Sequence, residues 1–148
     1  MMNLQASDWL SIAALIVSIL SLVMSLYVTF LDRVKIRAYS NLYPPHEHNP
    51  HAWIEVKAVN HGRRTAILTM FGGDLKGGGW EATRLGEKGL GLRLAENEFY
   101  KIDLTPDEVF FAGSENDQEY EDLWFEDSQG RRHRVKHARK HLGQMKKT

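Results

Sequence analysis

Residues 9–31 run for 23 positions without a charged side chain, and that stretch constrains this chain more than any other feature. At about 1.5 Å per residue, a helix of this length reaches about 34 Å, enough to cross a hydrocarbon core of about 30 Å. Trp9 at one end, with Tyr27 and Phe30 at the other, sits where aromatic rings favour the membrane interface. A cleaved signal peptide would carry a basic leading segment, a shorter apolar run and a small-x-small cleavage site. None of these precedes Asp32. A buried helix this apolar would be unusual in so small a soluble domain. The reading is a single transmembrane helix over 9–31, preceded by a short external segment, 1–8.

Charge gives the helix a direction. All 19 Lys and Arg lie after Leu31, and the only charged side chain before that point is Asp8. Arg33, Lys35 and Arg37 follow the helix at once. Positive residues stay inside, so the expectation is an inner (plasma) membrane protein with its C-terminal domain in the cytoplasm.

The helix also carries a stripe. Ser11, Ala14, Ser18, Ser21 and Ser25 recur at spacings of three and four, with Leu, Ile, Val and Met filling most other positions. Small residues at that spacing let two helices approach closely, at the left-handed crossing of about +20°. The plain alternative is that these hydroxyls bond their own backbone. Self-association, or packing on a partner transmembrane helix, is the expectation.

Residues 32–148 are enough for one hydrophobic core. Residues 34–39 and 52–58 alternate apolar and polar, the period of half-buried strands, and 65–71 is rich in β formers. Residues 72–79 read as a glycine-rich connection, followed by a short strand near 80–85 and by a segment, 92–98, that leads into 99–104. Thr105 and Pro106 mark a short helix reaching 112. Residues 120–125 and 131–135 form a hairpin around 127–130. Six or seven short strands with this spacing predict a mainly β domain, a β-sandwich, over 32–136, with 137–148 as a basic tail.

Two turn sequences carry a resemblance: Asn60-His-Gly-Arg-Arg64 after a strand, and Glu126-Asp-Ser-Gln-Gly-Arg-Arg132 in the last hairpin. With the preceding helix, the chain resembles a loose group of small bacterial and phage membrane proteins with immunoglobulin-like domains. That resemblance implies a fold and no functional residues. It also implies an alternative role, since some small membrane proteins of temperate phages act in superinfection exclusion or at the envelope.

The remaining constellations are weaker. His46, His48 and His51 share one loop with Glu47, and imidazoles could ligate Zn²⁺ or Ni²⁺. No second ligand pair or Cys accompanies them, so a solvated polar loop is the better reading, and a metal-dependent hydrolase the less favoured one. From 128 to 148 there are eight Lys/Arg and no acid, whereas 102–127 holds ten acids and no Lys/Arg. These segments can pair with one another, each exposed pair contributing less than about 1 kcal/mol. Alternatively Arg131, Arg132, Arg134, Lys136, Arg139 and Lys140 meet an anionic membrane surface. His133, His137 and His141 read as part of that basic segment, with a protonation switch as the alternative. Nucleic acid is disfavoured, because no aromatic residue is interleaved with the basic ones. No nucleotide-binding or hydrolase motif is present. The expectation is a non-enzymatic module without a cofactor, meeting a protein partner through sheet edges or the acidic stretch at 115–127.

Overall fold

The computed structural model describes residues 6–31, 33–47, 50–109 and 119–147, in two compact units that meet in sequence at Arg33 and Val34. The first unit is helix α1, Ala6–Leu31. Its 26 residues extend for about 39 Å. Asp8 lies in its first turn, where the helix dipole favours a carboxylate. Residues 7–30 all have exposed side chains, and Ser7–Phe30 is long and apolar enough to cross a membrane.

The second unit is mainly β. Its strands are β1 (Ile36–Tyr43), β2 (Trp53–Asn60), β3 (Ala66–Leu75), β4 (Trp80–Arg84), β5 (Leu92–Leu94), β6 (Phe99–Leu104), β7 (Tyr120–Asp127) and β8 (Arg132–Lys136). A short helix, α2 (Pro106–Val109), follows β6, and α3 (Ala138–Met145) follows β8. The hydrogen-bonded path runs β4-β3-β7-β8-β1-β2-β6, with β5 paired to β3. All pairings are antiparallel except β1 with β8, where Ala38 and Val135 are partners. Tyr100 of β6 meets Phe125 of β7 edge-on at 6.3 Å, although three strands separate them along the path. The sheet therefore curls until its ends face each other across one core.

The clearest sequence pattern builds the centre of that core. Ile54, Val56 and Ala58 alternate along β2 and are wholly buried. Phe71, Leu68, Leu123 and Phe125 face them from β3 and β7, with the Phe71 and Phe125 rings 4.9 Å apart. Two irregularities set which side chains turn inward. Thr69 is an extra residue in β3 opposite Glu126 and Asp127, and its hydroxyl donates to both carbonyls at 3.2 and 3.3 Å. Such a bulge leaves ladder groups without strand partners, and the hydroxyl supplies one. Glu121 is the extra residue in β7, which turns Tyr120 inward beside Leu75.

Residues 72–75 lie within β3, not in a loop. A Cβ at Gly72 would stand 2.2 Å from the Glu81 carbonyl oxygen, and one at Gly73 2.5 Å from that of Asp122. Here glycine marks close approach of two neighbouring strands. The connection to β4 shrinks to 76–79.

The C-terminal segment also differs from its expected form. Residues 138–145 are a helix whose Ala138, Leu142 and Met145 are buried in the core, so the domain does not stop at 136. The spacing of these three by four and three residues is that of one helix face. Helix α2 begins where expected, with the Glu108 carboxylate accepting from the Thr105 N–H (2.8 Å) and hydroxyl (3.0 Å). Residues 110–112 of the expected helix lie outside the described residues.

Candidate interaction surfaces

The small-residue stripe of α1 is exposed along its length. The Ser11 hydroxyl donates to the Ser7 carbonyl (3.0 Å) and that of Ser18 to the Ala14 carbonyl (2.9 Å). Thr29 does the same to Ser25 at 2.8 Å. Those protons are engaged within the helix, so Ser11 and Ser18 offer a neighbouring helix their smallness and their remaining lone pairs. Ala14, Ser21 and Ser25 lie on the same stripe.

A second surface lies on the side of β3, β4, β7 and β8 that faces away from the core. Trp124 is only 1% exposed yet does not belong to the apolar core cluster. Its Nε1–H donates to Asp74 Oδ1 at 3.1 Å. The Arg132 guanidinium lies 4.0 Å from the Trp124 ring centroid and 5.0 Å from that of Trp80, and the two indoles meet edge-on at 6.0 Å. Arg132 is 3.5 Å from Glu126, and Arg134 is 3.6 Å from Asp122. Cross-strand register explains the layout: Asp74 pairs with Trp80 and Asp122, while Trp124 pairs with Arg134. Trp80 is 54% exposed at the margin of this layer.

The basic residues of the C-terminal segment are thus not one patch. Arg131 closes the β7–β8 turn, donating its N–H to Asp127 Oδ1 at 3.0 Å. Arg132 and Arg134 lie in the charged layer over Trp124. Lys136 ends β8, and α3 carries Arg139, 3.2 Å from Glu121, and exposed Lys140. Lys146 and Lys76 both hold Glu119, and together they keep its carboxyl below the ordinary value, Lys146 contributing most.

Asp127 is a buried carboxylate built into the turn. Oδ1 accepts the N–H groups of Gln129 (2.9 Å) and Arg131, and Oδ2 lies 2.8 Å from His133 Nε2. Burial alone would push its pKa up. The His133 contact and the two N–H groups outweigh it, and the carboxyl lies below its ordinary value.

His141 and Ser40 form the joint between α3 and β1. The Ser40 hydroxyl donates to the Lys136 carbonyl (3.1 Å) and lies 2.9 Å from His141 Nδ1. Burial, then His137 and Lys140, lower the His141 pKa. A serine beside an imidazole is the pairing of nucleophilic catalysis. Ser40, however, is 2% exposed and its hydroxyl is engaged, so the pair fastens the helix.

In the 46–51 loop, the His46 ring meets Trp53 edge-on at 5.3 Å, and Trp53 stacks on Tyr43 at 5.0 Å. His51 lines a cavity of about 110 Å³ with Trp53 and Pro106. His48 lies outside the described residues. Among the described residues no three His, Asp or Glu side chains converge to hold a metal. A larger cleft, about 490 Å³, opens between β3, β4 and β6, lined by Phe71, Leu85, Tyr100, Ile102 and Tyr120 with Glu81 and Arg84.

Sequence reasoning missed the layer over Trp124. Residues 123–125 are apolar without alternation, and that break was the only signal that one ring is buried away from the core. No protein-family model matches this chain, and no curated protein matches it in sequence.

Proposed function

We propose that this protein is a membrane-anchored interaction module: α1 spans the bilayer and tethers the β domain on the cytoplasmic side. One observation carries the reading. Fifteen large apolar side chains, from Trp9 to Phe30, are 41–72% exposed along α1. Fully burying one such side chain is worth about 1.5–3 kcal/mol. Leaving fifteen in water is a cost that a domain stability of about 5–15 kcal/mol does not offset. Lipid, with or without a second helix on the small-residue stripe, is the environment that removes it. Arg33, whose guanidinium lies 4.5 Å from the Phe30 ring centroid, begins the basic run that supports the cytoplasmic placement.

The strand order supports an immunoglobulin-like sandwich. The group β4-β3-β7-β8 corresponds to strands C′-C-F-G of that fold, and β2-β6 to B-E, with Tyr100 and Phe125 meeting between the groups. In this reading the domain is a binding scaffold. The layer over Trp124, with half-exposed Trp80, has the aromatic and Arg content of protein interfaces.

The test is extraction of membranes with alkaline carbonate, using the full chain fused at its C-terminus to a reporter that fluoresces only in the cytoplasm. Fluorescence retained in the pellet, and released when residues 1–33 are deleted, is the expected result. Release of the full chain would sink the anchor; a dark pellet containing the protein would reverse the orientation.

A further inference from the structure

We propose that the open side of the β domain is a strand-accepting seam. An extended segment of a partner protein, apolar at alternate positions, pairs with the free edge of β6 and sets those side chains into the cleft beside it. The hydrogen-bonded path joins the two halves of the curled sheet on one side only, through β8 and β1. Its two ends, β4 and β6, carry no second strand among the described residues. The cleft of about 490 Å³ lies between those ends, lined by Glu81 and Thr83 of β4 and by Tyr100, Ile102 and Leu104 of β6.

The strand register fixes which main-chain groups of β6 are already used. Asn60 N–H donates to the Glu98 carbonyl at 3.0 Å, and the pairs Ala58–Tyr100, Val56–Ile102 and Ile54–Leu104 follow from it in steps of two. Hydrogen-bonded and non-bonded pairs alternate in an antiparallel ladder, so Tyr100, Ile102 and Leu104 give their N–H and C=O groups to β2. Phe99, Lys101 and Asp103 turn theirs to the open edge. The side chains divide in the same way: Tyr100 and Ile102 are half-buried and Leu104 is buried, whereas Phe99, Lys101 and Asp103 are exposed. An edge of six residues, rich in β formers and without proline, is a template for a further strand. Main-chain bonds hold a peptide added there, and its alternate side chains select it.

Strand β2 shows what β6 accepts. On the covered edge, Ile54, Val56 and Ala58 lie on the inner face and Glu55 and Lys57 on the outer one. The Lys57 ammonium stands 3.7 Å from the Phe99 ring centroid, and Glu55 lies 3.3 Å from Lys101. A strand on the open edge repeats that alternation. Its inner side chains lie beside Tyr100 and Ile102, and its outer ones beside Phe99, 54% exposed, and the Lys101–Asp103 pair. Two cations and two acids balance on this outer row, so apolar content and not charge selects the peptide. Strand β4 is the poorer acceptor. Leu85 N–H donates to the Thr69 carbonyl at 2.9 Å, which sets Glu81 and Thr83 against β3 and leaves the groups of Trp80, Ala82 and Arg84 at the edge. The inner side chains that an added strand meets there are Glu81 and Thr83, both polar and exposed. The seam lies wholly within the β domain, so its use does not depend on α1 crossing a membrane.

The chain has no Cys, so a single cysteine can report on the seam. In the full chain in detergent, Thr83→Cys is compared with Gly77→Cys, in the β3–β4 turn, where an added Cβ meets nothing within 4 Å. The probe is a synthetic peptide copying residues 53–60, the sequence that β6 accepts on its covered edge. Peptide at about ten times its dissociation constant leaves about a tenth of the protein free, so alkylation at 83 should slow about tenfold while that at 77 is unchanged. N-methylation of the peptide at the positions copying Glu55 and Lys57 removes the N–H groups that face β6 and should abolish the protection. N-methylation at the position copying Val56 should leave it intact. Adding Lys101→Pro should also abolish protection in a chain that circular dichroism shows to be folded, because the N–H it removes faces the open edge. Alkylation at 83 that the peptide does not slow overturns the seam. Protection by both N-methylated forms means that the cleft takes apolar side chains without strand pairing, and overturns it equally. Protection at 83 before any peptide is added assigns the seam to the chain itself or, where it fades on dilution, to a second copy; either result overturns the partner strand.

Discussion

The two sides of β7 bury aromatic rings equally well by opposite means. Phe125 points to the core, is wholly buried, and is surrounded by Phe71, Tyr100 and aliphatic side chains. Trp124, one residue earlier, points the other way and is 1% exposed beneath Arg132, beside Trp80, with its N–H on Asp74. Hydrocarbon covers the first ring and charged side chains cover the second. Burial of the first depends on exclusion from water, which salt barely alters. The cover over the second is made of ion pairs and a cation–π contact at the solvent boundary, where screening and substitution act directly. The inward side is the part that holds the fold.

The largest expected effect tests the inward side. Phe125→Ala should destabilise the domain by about 3–5 kcal/mol, the range for removing a buried phenyl ring. Urea unfolding of the full chain in detergent, followed by tryptophan fluorescence, measures it. The loss should be the same at low and high salt. A loss under about 1 kcal/mol would mean that the two sheet ends do not close on this ring.

How far the sequence revealed this contrast depends on the element. Strand β2 was legible because Ile54, Val56 and Ala58 alternate strictly with Glu55 and Lys57. Helix α1 was legible from length and lack of charge, and the turn at Asn60 from its residue types. In the structure the Asn60 side-chain N–H₂ donates to the carbonyls of Arg64 and Leu94 at 2.8 and 3.0 Å, and its Oδ1 accepts the Gly62 N–H. The Gly72-Gly73 pair misled because glycine signals a loop by propensity but also permits close strand contact, and only the neighbouring strands decide which. Helix α3 was hidden by its own charge: Arg139, Lys140 and Lys146 surround the Ala138, Leu142 and Met145 face. Composition led to the expectation that the basic segment pairs with the acidic one, as Arg132 does with Glu126, Arg134 with Asp122 and Arg139 with Glu121; which residues meet is set by the pleat of β8 and the turn into α3, geometry that composition does not contain. The layer over Trp124 joins residues 74, 80, 124 and 132, a grouping that exists only once four strands are in register.

A smaller effect is expected where the inward side of β7 ends in a charge. Asp127→Ala leaves the N–H groups of Gln129 and Arg131 without their acceptor and should cost about 1–3 kcal/mol at neutral pH. The pH dependence has a definite sign. The Asp127 pKa is lower in the folded chain than its ordinary value of 3.8, so the folded state binds fewer protons. Its contribution is therefore complete above pH 3.8 and is lost as pH falls through the lower folded value. The difference in unfolding midpoint between the parent chain and the variant should shrink as pH falls through that window. A difference that does not change with pH would show that the turn does not depend on the ionised carboxylate.

The smallest effect belongs to the outward side and decides whether its cover differs in kind from the core. Arg132→Gln removes the guanidinium over both indoles and its contacts with Glu126 and Asp74, 3.5 and 3.9 Å away. Arg132 is 38% exposed, so solvent screens these charges, and about 0.5–1 kcal/mol is the expected loss. Unlike the Phe125 loss, this one should fall as salt rises, because a Debye length of about 3 Å in 1 M salt screens ion pairs at these separations. Arg132→Lys keeps the charge but loses the flat face that lies on the rings, and should recover only part of the difference. Equal losses at low and high salt would mean that Arg132 stabilises Trp124 by covering it, as an aliphatic chain would, and that the two sides of β7 are held by the same physics.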